Sequence, residues 1–167
     1  MNNTRKLIFM GLLVAAALAL SFVESFLPSP FLPGAKLGLA NAVTVFSLYA
    51  LPSARDASLV VFARVILGSI FAGGSSIFYS AAGAALSFSV MTLLKRTGAF
   101  GIIAVSAAGG FFHNLGQLLV AMVLFSSSSI FSLLPALGLA GIAAGLLTGI
   151  AGAEILKRTH IASKVQM

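Results

Sequence analysis

Leu7-Ile-Phe-Met-Gly-Leu-Leu-Val-Ala-Ala-Ala-Leu-Ala-Leu-Ser-Phe-Val-Glu-Ser-Phe26 is a run of twenty residues with one charge, Glu24, near its far end. About 20 mainly apolar residues in a helix cross a 30 Å hydrocarbon core, so this stretch is long enough to span. Its residues are apolar on both parities, which excludes the alternating pattern of an outer-membrane strand. A helix also satisfies its own backbone groups in lipid. Arg5-Lys6 ahead of the run, and Ala17-Leu18-Ala19 inside it, fit a secretory signal peptide as well. The apolar run continues to Phe26, however, so it is read as a retained first span.

Five further apolar stretches follow, each closed by charges or turn residues. The first run stops at Pro28-Ser29-Pro30-Phe31-Leu32-Pro33-Gly34, too rich in proline for a helix interior. The second covers 37–51 and ends at Pro52-Ser53-Ala54-Arg55-Asp56. The third covers 57–72 and breaks at Gly73-Gly74-Ser75; Ser53 and Asp56 fit an N-cap for it. The fourth covers 77–94 and ends in Lys95-Arg96-Thr97-Gly98. The fifth covers 100–125 and meets Ser126 to Ser129, and the sixth covers 130–156 and ends in Lys157-Arg158-Thr159-His160. Stretches two and three are short for a full crossing, so one of them is expected to tilt less or to start inside the protein.

Composition agrees. Only 8% of the 167 residues are charged and 59% are apolar, with mean hydropathy +1.11. So much apolar surface cannot be hidden in one small soluble domain, and disorder needs the opposite composition. There is no Cys, which excludes disulfides and thiol chemistry. The net charge of +7 could point to nucleic acid, but every basic residue except Arg64 falls in a loop or terminal segment. With the N-terminus inside, the inner loops carry Arg5, Lys6, Arg55, Lys95, Arg96, Lys157, Arg158 and Lys164, and the outer loops carry Lys36 alone. This bias predicts six transmembrane helices in one integral domain, 1–167, with both termini cytoplasmic in a bacterial plasma membrane, and no nucleic-acid partner.

In lipid, helices associate where small residues let backbones approach. Such stripes occur at Gly11, Ala15 and Ala19; at Ala81, Ala85 and Ser89; and at Gly141, Gly145, Gly149 and Ala153. Each serves internal packing or, at Gly11, Ala15 and Ala19 above all, docking onto another membrane protein.

A few polar residues remain that topology does not explain. Arg64 lies about eight residues into the third stretch, roughly 12 Å deep, where a charge is costly. Its readings are a structural pair with Glu24, an anion site reached from outside, or snorkelling. His113, Asn114 and Gln117 share a face near the middle of the fifth stretch, among Gly109, Gly110 and Gly116. They can bond between helices or bind a ligand. Lys36 opens the second stretch, and Asn41 follows about a turn later. A cation opposes the dipole at a helix N-terminus, so Lys36 is either an interfacial anchor or half of an anion site. Candidate ligand-binding residues are therefore Glu24, Lys36, Asn41, Arg64, His113, Asn114 and Gln117. No His or carboxylate pair has metal-ligand spacing, so no metal or cofactor is expected.

Pro33-Gly-Ala-Lys-Leu-Gly-Leu-Ala-Asn41 resembles the signature of the Gx transporter family, also known as heptaprenyl diphosphate synthase component I. His113-Asn114-Leu115-Gly116-Gln117 also fits that family, and the resemblance covers nearly the whole chain. The family is in turn similar to the substrate-binding S components of energy-coupling factor transporters. That resemblance implies a six-helix bundle that captures a vitamin-like ligand near the outer surface. It also implies docking, through small residues of the first helix such as Gly11, Ala15 and Ala19, on a transmembrane coupling subunit driven by two cytoplasmic ATPases.

Familiar prenyl diphosphate synthases use Asp-rich Mg²⁺ sites, whereas this chain has one Asp and no acids paired in sequence. No phosphate loop or activated nucleophile occurs either, so the chain is not expected to be an enzyme. The expected function is capture of a small anionic or polar-headed molecule, with membrane lipid and coupling subunits as partners. The alternative is a non-transporting accessory subunit of a polyprenyl diphosphate or quinone-related system.

Overall fold

The computed structural model describes residues 2–26, 39–72 and 76–159. These are helical almost throughout: α1 (Asn3–Ser25), α2 (Asn41–Ala50), α3 (Ala54–Ala72), α4 (Ser76–Thr97), α5 (Ile102–Leu124), a 3₁₀ segment (Ser128–Leu133) and α6 (Leu134–Thr159). The stops follow local chemistry. Ser53 Oγ accepts the Asp56 backbone N–H at 3.1 Å and donates to Asp56 Oδ2 at 3.0 Å, which caps α3 and starts it at Ala54. α4 runs through Lys95 and Arg96 until Gly98 takes φ +67°, the left-handed conformation glycine adopts without strain. α5 ends at Leu124, Ser126 just beyond it takes φ +47°, and the serine run becomes the 3₁₀ turn that leads into α6.

α1, α4, α5 and the 3₁₀–α6 unit are long and apolar enough to cross a membrane. The other two helices depart from six equal spans. α2 has ten residues, about 15 Å of helix. α3 has nineteen, but Arg55, Asp56 and Arg64 interrupt its apolarity.

The packing order explains α2. Side-by-side contacts run α1–α3–α4–α5–α6, and among the described residues α1 and α6 do not meet. α2 fills that gap and touches all five other helices. Seven of its ten residues are buried, including Val45, Leu48 and the polar Thr44 and Ser47. A helix enclosed by protein need not span the lipid by itself. Its core neighbours include Leu13 and Ala17 of α1, Ala57 and Val60 of α3, Met91 of α4 and Val105 of α5.

α5 and α6 approach closely through glycine. A Cβ at Gly110 would collide with the Gly141 carbonyl, and one at Gly145 with the Ser106 carbonyl. This is the small-residue contact expected for Gly141, Gly145 and Gly149. Gly116 packs likewise on α4, where a Cβ would lie 2.6 Å from the Ala82 carbonyl oxygen.

Gly11, Ala15 and Ala19 behave differently: all three are exposed. A Cβ at Gly11 would meet nothing within 4 Å. The buried side of α1 is instead Leu13, Ala17 and Glu24.

Two contacts gather the charged ends. Lys6 Nζ of α1 lies 3.1 Å from Asp56 Oδ1 of α3. Lys95 of α4 donates to the Leu48 carbonyl at the end of α2 and stacks 4.7 Å from the Tyr49 ring centroid. The start of α1, the end of α2, the start of α3 and the end of α4 therefore share one end of the bundle. Gly152 near the end of α6 lies beside Ile102 at the start of α5 and Val45 of α2. Arg5, Lys6, Arg55, Lys95, Arg96, Lys157 and Arg158 thus sit toward that same end.

Candidate functional site

Eleven described polar residues are buried, among them Glu24, Asn41, Arg64, His113, Asn114 and Gln117. These are six of the seven ligand candidates read from the sequence; Lys36 lies outside the described residues. In a chain this apolar, buried polar side chains must bond one another, bond backbone or receive something else.

Asn41 and Asn114 are engaged between helices. Asn41 Nδ2 at the start of α2 donates to Ser87 Oγ of α4 at 2.9 Å, and the same hydroxyl lies 3.3 Å from Asn41 Oδ1. Asn114 Nδ2 of α5 donates to the Leu137 carbonyl of α6 at 2.6 Å. Both are interhelical hydrogen bonds of the kind that hold membrane bundles together.

His113 parts from Asn114. Adjacent helical residues point about 100° apart, so one face holds both only loosely. Asn114 faces α6, while the His113 ring packs on Gly83 of α4, where a Cβ would lie 2.8 Å from Cε1 and Nδ1. His113 also borders a cavity with Ser21 and Glu24 of α1, Ala40 before α2, Arg64, Val65 and Gly68 of α3, and Ser80 of α4. Thus Glu24, Arg64 and His113 come together from three helices. The cavity volume is about 20 Å³, room for about one water and not for a whole organic ligand.

The electrostatics centre on Glu24 and Arg64, which are 4% and 8% exposed. They are coupled through space. Glu24 Oε1 also accepts the Leu39 backbone N–H at 3.4 Å, a long hydrogen bond at the entry to α2. The protein thus places its own carboxylate at the positive end of the α2 dipole. That is the place where sequence reading looked for a ligand anion. Arg64 Nε and Nη2 are buried and have no hydrogen-bond partner among the described residues. The burial of Arg64 sets snorkelling aside.

Sequence reading missed Ser21, Ser80 and Ser87. Their spacing carried the signal: Ser21 is three residues before Glu24, and Ser80 and Ser87 are two helical turns apart on α4. Ser106 of α5 and Thr148 of α6, 3.1 Å apart, were also missed, because a lone hydroxyl in an apolar run carries little information.

Among the described residues no three His, Cys, Asp or Glu side chains gather to hold a metal. No curated protein and no solved structure matches the chain. The family of heptaprenyl diphosphate synthase component I does match, over residues 13–155. That span includes α2 to α5 whole, the greater part of α1 and α6, the Glu24–Arg64–His113 cavity and the interhelical bonds of Asn41 and Asn114. The chain belongs to the heptaprenyl diphosphate synthase component I family.

Proposed function

We propose that this chain is a membrane accessory subunit of a polyprenyl diphosphate synthase, without catalytic activity of its own. The observation that carries this reading is the family match over residues 13–155. The chemistry is consistent with a division of labour: the chain has one Asp, Asp56, and it is held by Ser53 and Lys6 at the basic end. Catalysis would reside in a partner chain. The bundle would lie in a bacterial plasma membrane with six crossings and both termini cytoplasmic. The basic end would then face the cytoplasm, as Lys and Arg bias requires, and would be where a soluble synthase is met.

Co-expression tests this reading. The tagged chain should copurify with the catalytic prenyl synthase of its own source, and adding it in lipid should raise long-chain product. Absence of both effects would remove the proposal.

A second reading rests on a different observation, the exposed stripe Gly11, Ala15 and Ala19. On it, the chain would capture a polar-headed molecule from outside and dock through α1 on a coupling subunit driven by ATPases. Copurification of such subunits, with ATP-dependent uptake, would favour this reading over the first. Glu24, Arg64 and His113 would contact the ligand in either case. Lys36, Asn41, Asn114 and Gln117 are kept as proposed ligand residues, with Asn41 and Asn114 also holding helices together.

A further inference from the structure

A buried charge is stable in a protein only when it is paired or hydrogen-bonded. Arg64 is 8% exposed, yet its Nε and Nη2 have no acceptor among the described residues. These nitrogens form one edge of the guanidinium, the edge that takes two oxygens of an oxyanion side by side. Arg64 lines the 20 Å³ cavity, whose other walls include Ser21 and Ser80. That space admits about one oxygen-sized group without rearrangement. Phe22 and Leu67, next in sequence to the cavity residues Ser21 and Gly68, are 62% and 40% exposed.

We propose that the Nε–Nη2 edge of Arg64 is the receptor for the terminal oxyanion of an amphiphile, a phosphate or diphosphate ester of an apolar chain. The oxyanion chemistry follows from the geometry. The ester class rests on the accessory-subunit reading above. The cavity as it stands takes one oxygen, so the Ser21 and Ser80 hydroxyls would donate to the others only once its walls part. Glu24, coupled to Arg64, opposes the incoming charge and so limits affinity.

The test titrates the detergent-purified full chain with inorganic phosphate, inorganic diphosphate, farnesyl diphosphate and acetate. Binding is followed by calorimetry and by thermal unfolding. Farnesyl diphosphate should bind and raise Tm. Arg64→Lys keeps the charge but loses the paired donors, and should weaken binding on the order of tenfold. Arg64→Met should abolish it, and Glu24→Gln should tighten it severalfold. Without ligand, Arg64→Met should lower Tm only modestly, because two unbonded guanidinium nitrogens are removed while Glu24 keeps its hydrogen bond to the Leu39 backbone N–H.

No oxyanion binding by the parent, or binding indifferent to Arg64→Met, overturns the proposal. So does a large drop in Tm for unliganded Arg64→Met, which would make Arg64 a structural partner of Glu24. Binding of acetate in preference to the phosphates overturns the ester class. Synthase copurification separates the two readings. If it persists while oxyanion binding fails, the site is refuted and the accessory role stands. If phosphate esters bind while copurification and the rise in long-chain product are both absent, the accessory role is refuted and the Arg64 site stands.

Discussion

Asn41 and Ser87 are hydrogen-bonded at 2.9 Å across 46 positions of sequence, both buried, and they join α2 to α4. Ser87→Ala leaves the amide without its partner in an apolar interior. The expected loss is about 1–2 kcal/mol, the range for interhelical polar contacts and unsatisfied groups. Asn41→Leu combined with Ser87→Ala should cost less than the sum of the single changes. Reversible unfolding in detergent measures this, and strict additivity would mean that the two side chains do not interact.

The α5–α6 seam should tolerate no added atom. Gly110→Ala drives a methyl into the Gly141 carbonyl, and Gly141→Ala does the reverse. Backbone cannot swing aside as a side chain can, so each change is expected to cost about 3 kcal/mol, the upper end for overpacking. Gly152→Ala, whose Cβ would lie 3.7 Å from Ile102 Cδ1 in ordinary contact, is the matched control and should be nearly silent. A Gly110→Ala protein as heat-resistant as the parent would contradict this seam.

On α1 the same residue type has the opposite forecast. Gly11→Ala meets open space, and alanine is the better helix former by up to about 1 kcal/mol, so Tm should hold or rise slightly. Ala15→Leu and Ala19→Leu should also fold, since both positions are exposed. If this stripe docks a membrane partner, the leucine changes abolish copurification while leaving Tm in place. A drop in Tm equal to the loss of partner would assign the stripe to folding.

The absence of native Cys makes topology directly readable by single-cysteine labelling. Thr4→Cys, Arg55→Cys, Arg96→Cys and Lys157→Cys, all exposed and near the basic end, should react only from the cytoplasmic side. Ser129→Cys, between α5 and α6, should react from the other. Labelling of Arg55→Cys from outside would show that α2 does not return the chain to the cytoplasm.

Six apolar stretches became six helices because length, proline and charge are local signals. The cap at Ser53 and Asp56, and the stop after Lys95-Arg96-Thr97-Gly98, were readable for that reason. Partners were less readable. The bond from Asn41 to Ser87 was hidden because nothing in the segment around Asn41 reveals Ser87. His113 and Asn114 looked like one cluster because their divergence depends on where α4 and α6 stand. Glu24 and Arg64 were associated by elimination, with three acids in the chain to choose from. The tie from Glu24 to Leu39 was hidden, because backbone donors carry no sequence label.

The enclosed α2 bears on biogenesis. Its ten residues are too few to be recognised as a span on hydropathy alone, and Asn41, Thr44 and Ser47 make it less welcome to lipid. Its surroundings belong largely to α4, α5 and α6, which emerge from the ribosome after it. The segment must therefore wait, held at the insertion channel or at the membrane surface, until later helices arrive to enclose it. Chains truncated before α5 should leave it without much of its cover, open to membrane proteases.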